Sequence, residues 1–397
     1  MALHVLDEAN RCLGCKKPMC QQGCPIHTNI PEVIRLLKNN QLDDAGRMLF
    51  ENNPLTTVCS LVCNHEKQCE GHCVRGIKGA PVHFSVIENY ISSTYASQMT
   101  QGPAPSNGKK AAIIGSGPAG LTIAVILARY GYDVTIFESH DKIGGVLRYG
   151  IPAYRLPREI LDAEIASLLS VGIDAKVNVD IGDEITFDEL RSRYDALYLA
   201  LGAHTDKKTG IEGEDAEGVM SAVEMLREIG DDHMPDFRNK DIVVIGGGNV
   251  AMDVCRSAVR LGARKVSCVY RRRQEDMTAL PEEVEGAVAE GVELVTLQAP
   301  VRIETDANGH AVALWTQPQI IGEMDDKGRP KPEKAKLFEK RIAADGIVVA
   351  IGQGVETHGF EQSKITIKRG AFVAEASGQI DNMDGVFAGG DCVTGPA

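Results

Sequence analysis

The chain has 397 residues, of which 43% are hydrophobic and 24% are charged, as is usual for a globular protein of two or three domains. Its formal net charge of -13 argues against nucleic acid as the main partner, because phosphate binding requires a positive field. No apolar run approaches the ~20 residues that a membrane helix needs, and the opening MALHVLDEANR does not resemble a secretory signal. We therefore expect a cytoplasmic protein that binds neither nucleic acid nor membrane.

Residues 1–100 are predicted to form a helical domain, because apolar residues such as Val33, Ile34 and Leu37 recur near a helical period. Eight of the eleven cysteines lie in this part of the chain. They form two groups, C-x2-C-x4-C-x3-C-P from Cys12 to Cys24 and C-x3-C-x5-C-x3-C from Cys59 to Cys73. In a reducing cytoplasm, such a concentration of cysteines indicates metal or redox chemistry rather than disulfides.

The spacing of the cysteines favours iron–sulfur clusters over zinc. Closely spaced thiolates that end in Cys-Pro are typical of bacterial iron–sulfur sequences, in which the last cysteine binds the other cluster. Two groups of four could hold two [4Fe-4S] clusters with ligands exchanged between them. Zinc is the structural alternative, but zinc sites usually show two short C-x2-4-C pairs, and the x5 spacing fits that pattern poorly.

After a linker at residues 101–110, QGPAPSNGKK, the pattern changes to strand, glycine turn, helix and strand. The first such unit contains Gly115-Ser116-Gly117-Pro118-Ala119-Gly120, which fits the dinucleotide fingerprint G-x-G-x-x-G. Glu138 closes the next strand, where a carboxylate can bind ribose hydroxyls. A tight structural turn followed by an exposed glutamate is the alternative interpretation.

A second unit follows at DIVVIGGGNVAMDVCRSAVRLGARKVSCVYRRR, residues 241–273, with the fingerprint residues Gly246, Gly248, Asn249 and Val250. At the end of its second strand, where an NAD site would carry an acid, the chain has Arg271 and Arg272. Arginine there suits the 2′-phosphate of NADPH, which it can bind with paired hydrogen bonds. A solvated basic turn is the alternative.

Taken together, these motifs resemble one family of flavin and iron–sulfur oxidoreductases. It includes the small subunit of bacterial glutamate synthase, the amino-terminal half of dihydropyrimidine dehydrogenase and the large subunit of NADH-dependent ferredoxin:NADP oxidoreductase. The resemblance rests on the order of the motifs and on the segments RYGIP with RLP, AMD, VYRR and the closing GVFAGGD. It implies a helical double iron–sulfur module followed by an α/β part with two Rossmann-like domains. The FAD-binding domain would comprise residues 111–230 and 353–397, with the NADPH-binding domain, residues 231–352, inserted in it.

The resemblance also assigns residues to cofactors. FAD would be bound by the first fingerprint, the glycine pair after the second strand, an arginine and the closing motif: Gly115, Gly117, Pro118, Ala119, Gly120, Glu138, Gly144, Gly145, Arg155, Gly390 and Asp391. One cluster would have the ligands Cys12, Cys15, Cys20 and Cys73, and the other Cys24, Cys63, Cys69 and Glu88. Cys59 would then be a packed thiol, not a ligand.

We expect from this resemblance an electron-transfer subunit that moves electrons between NADPH, FAD and two [4Fe-4S] clusters, to or from a partner subunit. Glutamate synthesis, pyrimidine reduction and flavin-based bifurcation remain open as the terminal reaction. Disulfide reduction is disfavoured, because neither Cys255 nor Cys268 has a close partner in the sequence. A non-catalytic scaffold is disfavoured by the intact glycines. Members of the family continue past the closing Gly-Gly-Asp with a helix, so we also expect the numbered chain to be truncated after Ala397.

Overall fold

The protein is described as a computed structural model that covers residues 4–95, 102–182, 184–325, 328–357, 359–360 and 363–396. The helical domain contains α1 (Val5–Asn10), α2 (Met19–Gly23), α3 (Ile30–Lys38), α4 (Leu42–Asn52), α5 (Thr56–Val62), a 3₁₀ turn (Val74–Ile77) and α6 (Phe84–Tyr95). The next segment contains β1 (Lys110–Ile114), α7 (Pro118–Arg129), β2 (Asp133–Phe137), α8 (Val146–Tyr149), α9 (Arg158–Leu169), β3 (Asp174–Lys176), α10 (Phe187–Arg193), β4 (Ala196–Leu199) and β5 (Thr205–Asp206).

The remaining elements begin with β6 (Val219–Ser221), α11 (Ala222–Gly230), β7 (Asp241–Ile245), α12 (Asn249–Arg260), β8 (Lys265–Tyr270), a 3₁₀ turn (Gln274–Asp276), α13 (Pro281–Ala289) and β9 (Glu293–Thr296). They continue with β10 (Gln298–Thr305), β11 (Ala311–Met324), β12 (Pro330–Lys334), β13 (Lys340–Ala343), β14 (Gly346–Val349), β15 (Gln353–Gly354), β16 (Ile367–Lys368), β17 (Ala371–Phe372), β18 (Val386–Ala388) and α14 (Asp391–Thr394). In the described residues, every helix is too short or too polar to cross a membrane.

The helical domain packs α3, α4 and α6 around one apolar core. Along α3, the buried side chains Ile30, Val33, Ile34 and Leu37 follow the helical period and so form one face. They meet Ile87 and Ile91 of α6, both of which are fully buried. The cysteines lie mostly where this core meets the loops, so the packing of the helices decides which thiols come together.

Two five-stranded parallel sheets follow, and each has a strand–glycine turn–helix unit at its centre. The first sheet has the order β18-β4-β1-β2-β3, and its edge strand β18 comes from near the end of the described chain. The second has the order β6-β14-β7-β8-β9 and is made entirely of strands between residues 219 and 349. Strands buried on both faces, such as Ile242–Ile245, explain the continuous apolar runs in the sequence.

The second sheet begins earlier than the sequence boundary at residue 231. Strand β6 already pairs with β14, and α11 packs Met225 and Leu226 into the second core. This boundary is difficult to place from the sequence, because β6 has only three residues and no pattern of its own. An antiparallel sheet of β10 to β13 is attached to this second unit, and its long strand β11 pairs with β10, β12 and β13.

A buried carboxylate joins the helical domain to the first sheet unit. Glu164 on α9 is 4% exposed and accepts hydrogen bonds from the backbone N–H groups of Thr57 and Val58, at 2.9 and 3.0 Å. These donors belong to the first turn of α5, which has no helical partner for them. Burial raises the pKa of Glu164 to about 7, although the two N–H groups favour its charged form.

We expect Glu164→Ala to weaken this joint, because it leaves two buried N–H groups without an acceptor. Each orphaned group costs about 1–3 kcal/mol, so the free energy of unfolding should fall by roughly 2 kcal/mol or more. Chemical denaturation at neutral pH measures the loss. The control is Glu159→Ala, which removes an exposed glutamate from the same helix and should change stability little. Equal stability of the two variants would contradict this role.

Candidate nucleotide and cluster sites

The first glycine turn is shaped by close backbone contacts on two sides and open space on the third. Gly115 has φ +99°, and a side chain there would meet the carbonyl oxygen of Ala200 at 2.4 Å. A side chain at Gly120 would meet the carbonyl oxygen of Gly115 at 2.0 Å. In contrast, a Cβ at Gly117 would meet nothing within 4 Å. The open position lies at the amino end of α7, where Pro118 is the first helical residue, and such an end favours a phosphate group.

Two other predicted FAD motifs converge on this turn. A Cβ at Gly145 would lie 2.6 Å from the Cα of Gly117, and one at Gly390 would lie 2.9 Å from the Cβ of Ala119. Gly144 and Gly145 both have positive φ, so the glycine pair is required for the bend of the chain. Asp391 begins α14 directly after Gly390, and burial raises its pKa. The structure thus brings residues that are far apart in sequence together around the first glycine turn.

Glu138 lies at the end of β2 and is 5% exposed, which excludes the interpretation as an exposed acid. It accepts hydrogen bonds from the backbone N–H of Ser116 at 3.0 Å and from that of His140 at 3.0 Å, and a further one from the Ser116 hydroxyl. The carboxylate therefore holds the glycine turn against the second strand. Its predicted contact with ribose stays a prediction.

The second glycine turn repeats this arrangement with different supports. Gly246 has φ +155°, and a Cβ there would meet the carbonyl oxygen of Ala350 at 2.3 Å. At Gly248 the contact nearest to an added Cβ would be the Thr278 hydroxyl, at 3.4 Å. Asn249 begins α12, and its side-chain oxygen accepts a hydrogen bond from the N–H of Leu280 at 2.8 Å. Val250, which follows it, is half-buried.

The two arginines predicted to bind a 2′-phosphate have different surroundings. Arg272 is 6% exposed; its Nε donates to the carbonyl of Pro330 at 2.7 Å, and its guanidinium lies 3.7 Å from Asp325. It therefore fastens the β11–β12 hairpin to the end of β8. Arg271 is exposed, and no hydrogen bond or ion pair within the described residues engages its guanidinium.

Arg155 lies between the two sheet units. It pairs with Asp253 on α12 at 2.8 Å and with Glu283 on α13 at 3.1 Å. The neighbouring Tyr154 hydroxyl donates to Asp253 at 3.2 Å, and the guanidinium of Arg260 stacks on the Tyr154 ring, 3.9 Å from its centre. Burial raises the pKa of Asp253 to about 6, although Arg155 favours the carboxylate. No local pattern in the sequence marks this bridge, and contact between Arg155 and the flavin stays a prediction.

Five cysteines line one cavity of the helical domain. Cys12, Cys15 and Cys20 come from the first group and Cys73 from the second, with Cys69 also in the wall. Burial, with a smaller effect from the neighbouring thiols of Cys73, Cys12 and Cys15, raises the pKa of Cys20 to about 11. The fold thus brings together, from two distant parts of the sequence, the four cysteines that were assigned to one cluster.

The other assigned set also lies within one neighbourhood. Burial raises the pKa of Cys69, and the nearby groups that raise it further include Glu88, Cys63 and Cys24. For Cys63, burial raises the pKa to about 11, and Glu88 and Cys24 add to the effect. Glu88 is 6% exposed, accepts a hydrogen bond from the Thr56 hydroxyl at 2.9 Å and lies 3.5 Å from the His65 ring. Glu88 is therefore a buried carboxylate and not a solvated acid on the helix surface.

Comparison with known proteins agrees with this architecture. Residues 109–397 match the family described as pyridine nucleotide-disulphide oxidoreductase, and residues 2–100 match the family described as dihydropyrimidine dehydrogenase domain II, 4Fe-4S cluster. The chain is 35% identical to the small chain of glutamate synthase [NADPH] from Escherichia coli K12, over 98% of this chain and 86% of that one. The chain belongs to the pyridine nucleotide-disulphide oxidoreductase family.

Two further comparisons agree with this assignment. The beta subunit of the NADP(+)-dependent formate dehydrogenase of Moorella thermoacetica is also 35% identical, over 95% of this chain but only 56% of that one. The solved structure of FprA from Mycobacterium tuberculosis in complex with NADPH is 20% identical and shares the fold, with a TM-score of 0.62 over 74% of this chain and 80% of that one. The chain is thus an NAD(P)H-dependent FAD oxidoreductase with an iron–sulfur domain.

Two cysteines that have no close partner in the sequence become neighbours in the fold. Helix α12 and strand β8 pack together and bring Cys255 and Cys268 side by side in the second core. Burial raises the pKa of Cys255, and the neighbouring thiol adds to the effect. Both thiols are fully buried in the core of the second unit, and the Cys268 thiol donates to the carbonyl of Gly246 at 3.3 Å. The pair therefore lies under the second glycine turn, away from the first one.

We expect substitutions at two glycines of the first turn to separate cofactor binding from folding. Gly117→Ala should leave the fold intact but weaken FAD retention roughly tenfold or more, because the added methyl fills the space that a pyrophosphate needs. Gly120→Ala should instead destabilise the protein, because its methyl would clash with backbone. Flavin content after gel filtration and thermal unfolding of the apoprotein measure the two effects. Normal flavin content in Gly117→Ala would contradict the placement.

Proposed function

We propose that the chain is an electron-transfer subunit that takes hydride from NADPH and exchanges electrons, through FAD and two [4Fe-4S] clusters, with a partner protein. The observation that carries the proposal is the convergence of thiols from both cysteine groups on one cavity. Interleaved ligands of this kind are typical of two-cluster domains. FAD, when bound, accepts a two-electron hydride and passes electrons on singly. The chain's own residues position the cofactors, and no side chain has to act as an acid or base in the hydride step.

The donor set fits iron–sulfur clusters. Within the described ranges, no three His, Cys, Asp or Glu side chains converge on a point that could hold a single metal ion. Thiols spread around a cavity suit a four-iron cluster, in which each ligand binds a different iron, better than a mononuclear zinc site. Cys12, Cys15, Cys20 and Cys73 would hold one cluster, and Cys24, Cys63, Cys69 and Glu88 the other. Cys59 then remains a thiol of the α5 helix, buried enough to raise its pKa to about 12.

The names of two relatives support a partner protein. The glutamate synthase relative is a small chain and the formate dehydrogenase relative is a beta subunit, and both names imply larger assemblies. By analogy, the partner of this chain would be a glutamate synthase large-subunit-like protein or another redox protein. Which terminal reaction it performs depends on the partner and not on residues of this chain.

We expect anaerobically purified protein to contain about eight iron atoms and as many acid-labile sulfides per chain, from two four-iron clusters. Glu88→Ala should perturb the electron paramagnetic resonance signal of one cluster and spare the flavin and the other cluster. Cys59→Ala is the matched control and should leave both signals intact. Stoichiometric zinc with little sulfide would contradict the proposal. Loss of a cluster from Cys59→Ala alone would contradict only the ligand assignment.

We expect Arg271 to make the contact that selects NADPH. Arg271→Ala should lower kcat/KM for NADPH at least tenfold and leave NADH use nearly unchanged, since a charge-assisted contact is worth roughly 1.5–3 kcal/mol. Steady-state reduction of an artificial acceptor with each nucleotide measures this. Arg264→Ala, which removes an exposed cation just before the other end of β8, is the control.

Arg272→Ala should behave differently from Arg271→Ala, because its side chain is buried and holds the hairpin. It should lower stability and reduce the use of both nucleotides together. If Arg271→Ala also affects NADPH and NADH equally, the phosphate does not bind at this arginine.

A further inference from the structure

One buried donor atom in the helical domain, the Nε of the half-buried Arg75, lacks a hydrogen-bond partner. Among the described residues, only the Nε of Arg75 and the hydroxyl of Ser167 are buried side-chain polar atoms without a partner. Leaving a buried donor unpaired costs about 1–3 kcal/mol, and more when the group is charged. Buried polar groups in native proteins are nearly always satisfied, so each exception requires a reason.

The position of Arg75 supplies a reason. Arg75 is one of the residues that line the cavity between Cys12, Cys15, Cys20 and Cys73. The rest of the wall is made of cysteines and apolar side chains such as Ile34, Val82 and Phe84. Arg75 is therefore the one charged residue among those that line this cavity. It is also held close to a thiol by the chain itself, because it follows Cys73 by two residues on the 3₁₀ turn Val74–Ile77.

The same sulfur already has one donor directed at it. The backbone N–H of Val82 lies 3.5 Å from the Cys73 sulfur. Hydrogen bonds to the sulfurs and the net charge around a cluster are among the main factors that set its reduction potential. A cluster with four thiolate ligands is an anion, and reduction adds a further negative charge. A guanidinium beside it stabilises the reduced form more than the oxidised form.

We propose that Arg75 is a positioning residue for the cluster bound by Cys12, Cys15, Cys20 and Cys73, donating a hydrogen bond from its Nε to a sulfur of that cluster and raising its reduction potential. This inference rests on the proposed function. It concerns the electron affinity of the site and not its assembly from the four cysteines. With Arg75 present, this cluster is reduced more easily than it would be without the cation.

The test is a redox titration of the purified holoprotein, followed by electron paramagnetic resonance, for wild type, Arg75→Gln and Lys78→Gln. Lys78 is the matched control, because it is an exposed cation just after the same 3₁₀ turn and does not line the cavity. Arg75→Gln should lower the equilibrium constant for reduction about tenfold, which is a fall of about 59 mV for a one-electron couple. Lys78→Gln should leave the potential unchanged. The signal is assigned with Cys15→Ala, which removes a ligand of this cluster only.

Equal potentials in wild type and Arg75→Gln overturn the inference, as does an equal shift in Lys78→Gln, which would indicate a general charge effect. If Arg75→Gln fails to retain the cluster, the titration of Arg75→Lys decides. It keeps the charge but loses the planar donor, so a smaller fall is expected and an unchanged potential overturns the inference.

Hyperfine spectroscopy of wild-type protein with isotopically labelled arginine needs no variant. Coupling of an arginine nitrogen to the reduced cluster is expected, and its absence overturns the inference. The iron and sulfide content of the wild type separates this test from that of the proposed function. Without clusters in the wild type both fail, whereas with clusters present and potentials equal only the role of Arg75 fails.

Discussion

The hydrogen bonds from α5 to the buried carboxylate of Glu164 are the interaction that holds the helical domain against the first sheet unit. They fix the amino end of α5 against α9 of the first sheet unit, and α5 ends one residue before Cys63. In the same turn of α5, the Thr56 hydroxyl donates to Glu88. A continuous series of contacts thus runs from the first sheet unit to the second cysteine group. This series of contacts places the helical domain against the first sheet unit.

A second set of contacts fixes the two nucleotide units relative to each other. Arg155 and Tyr154 belong to the first unit, and their partners Asp253, Glu283 and Arg260 to the second. Hydride transfer between two bound cofactors depends on holding the reacting atoms close and aligned, and this charged bridge joins the two units that carry the nucleotide motifs. Removing one partner would leave a desolvated charge without its counter-ion, and this is strongly destabilising.

The sequence predicts the motifs of this protein better than the contacts between them. The glycine turns, the cysteine groups and the resemblance to glutamate synthase small chains follow from local patterns, and the family comparisons confirm the resemblance. Glu164 carries no signal of its own, because its partners lie more than one hundred residues away in the chain. The different surroundings of Arg271 and Arg272, and the meeting of Cys255 with Cys268, likewise depend on packing that no local pattern encodes. The unpaired Nε of Arg75 becomes visible only once the cavity wall is known.

The claim that one chain conducts electrons from nicotinamide to iron–sulfur clusters is tested most directly by anaerobic rapid mixing with excess NADPH, with a regenerating system present. Visible absorbance follows the flavin, and freeze-quenched electron paramagnetic resonance follows the clusters. We expect the flavin to bleach first and an iron–sulfur signal to grow afterwards in the same protein. A flavin that bleaches completely while clusters reducible by dithionite stay oxidised would contradict the claim.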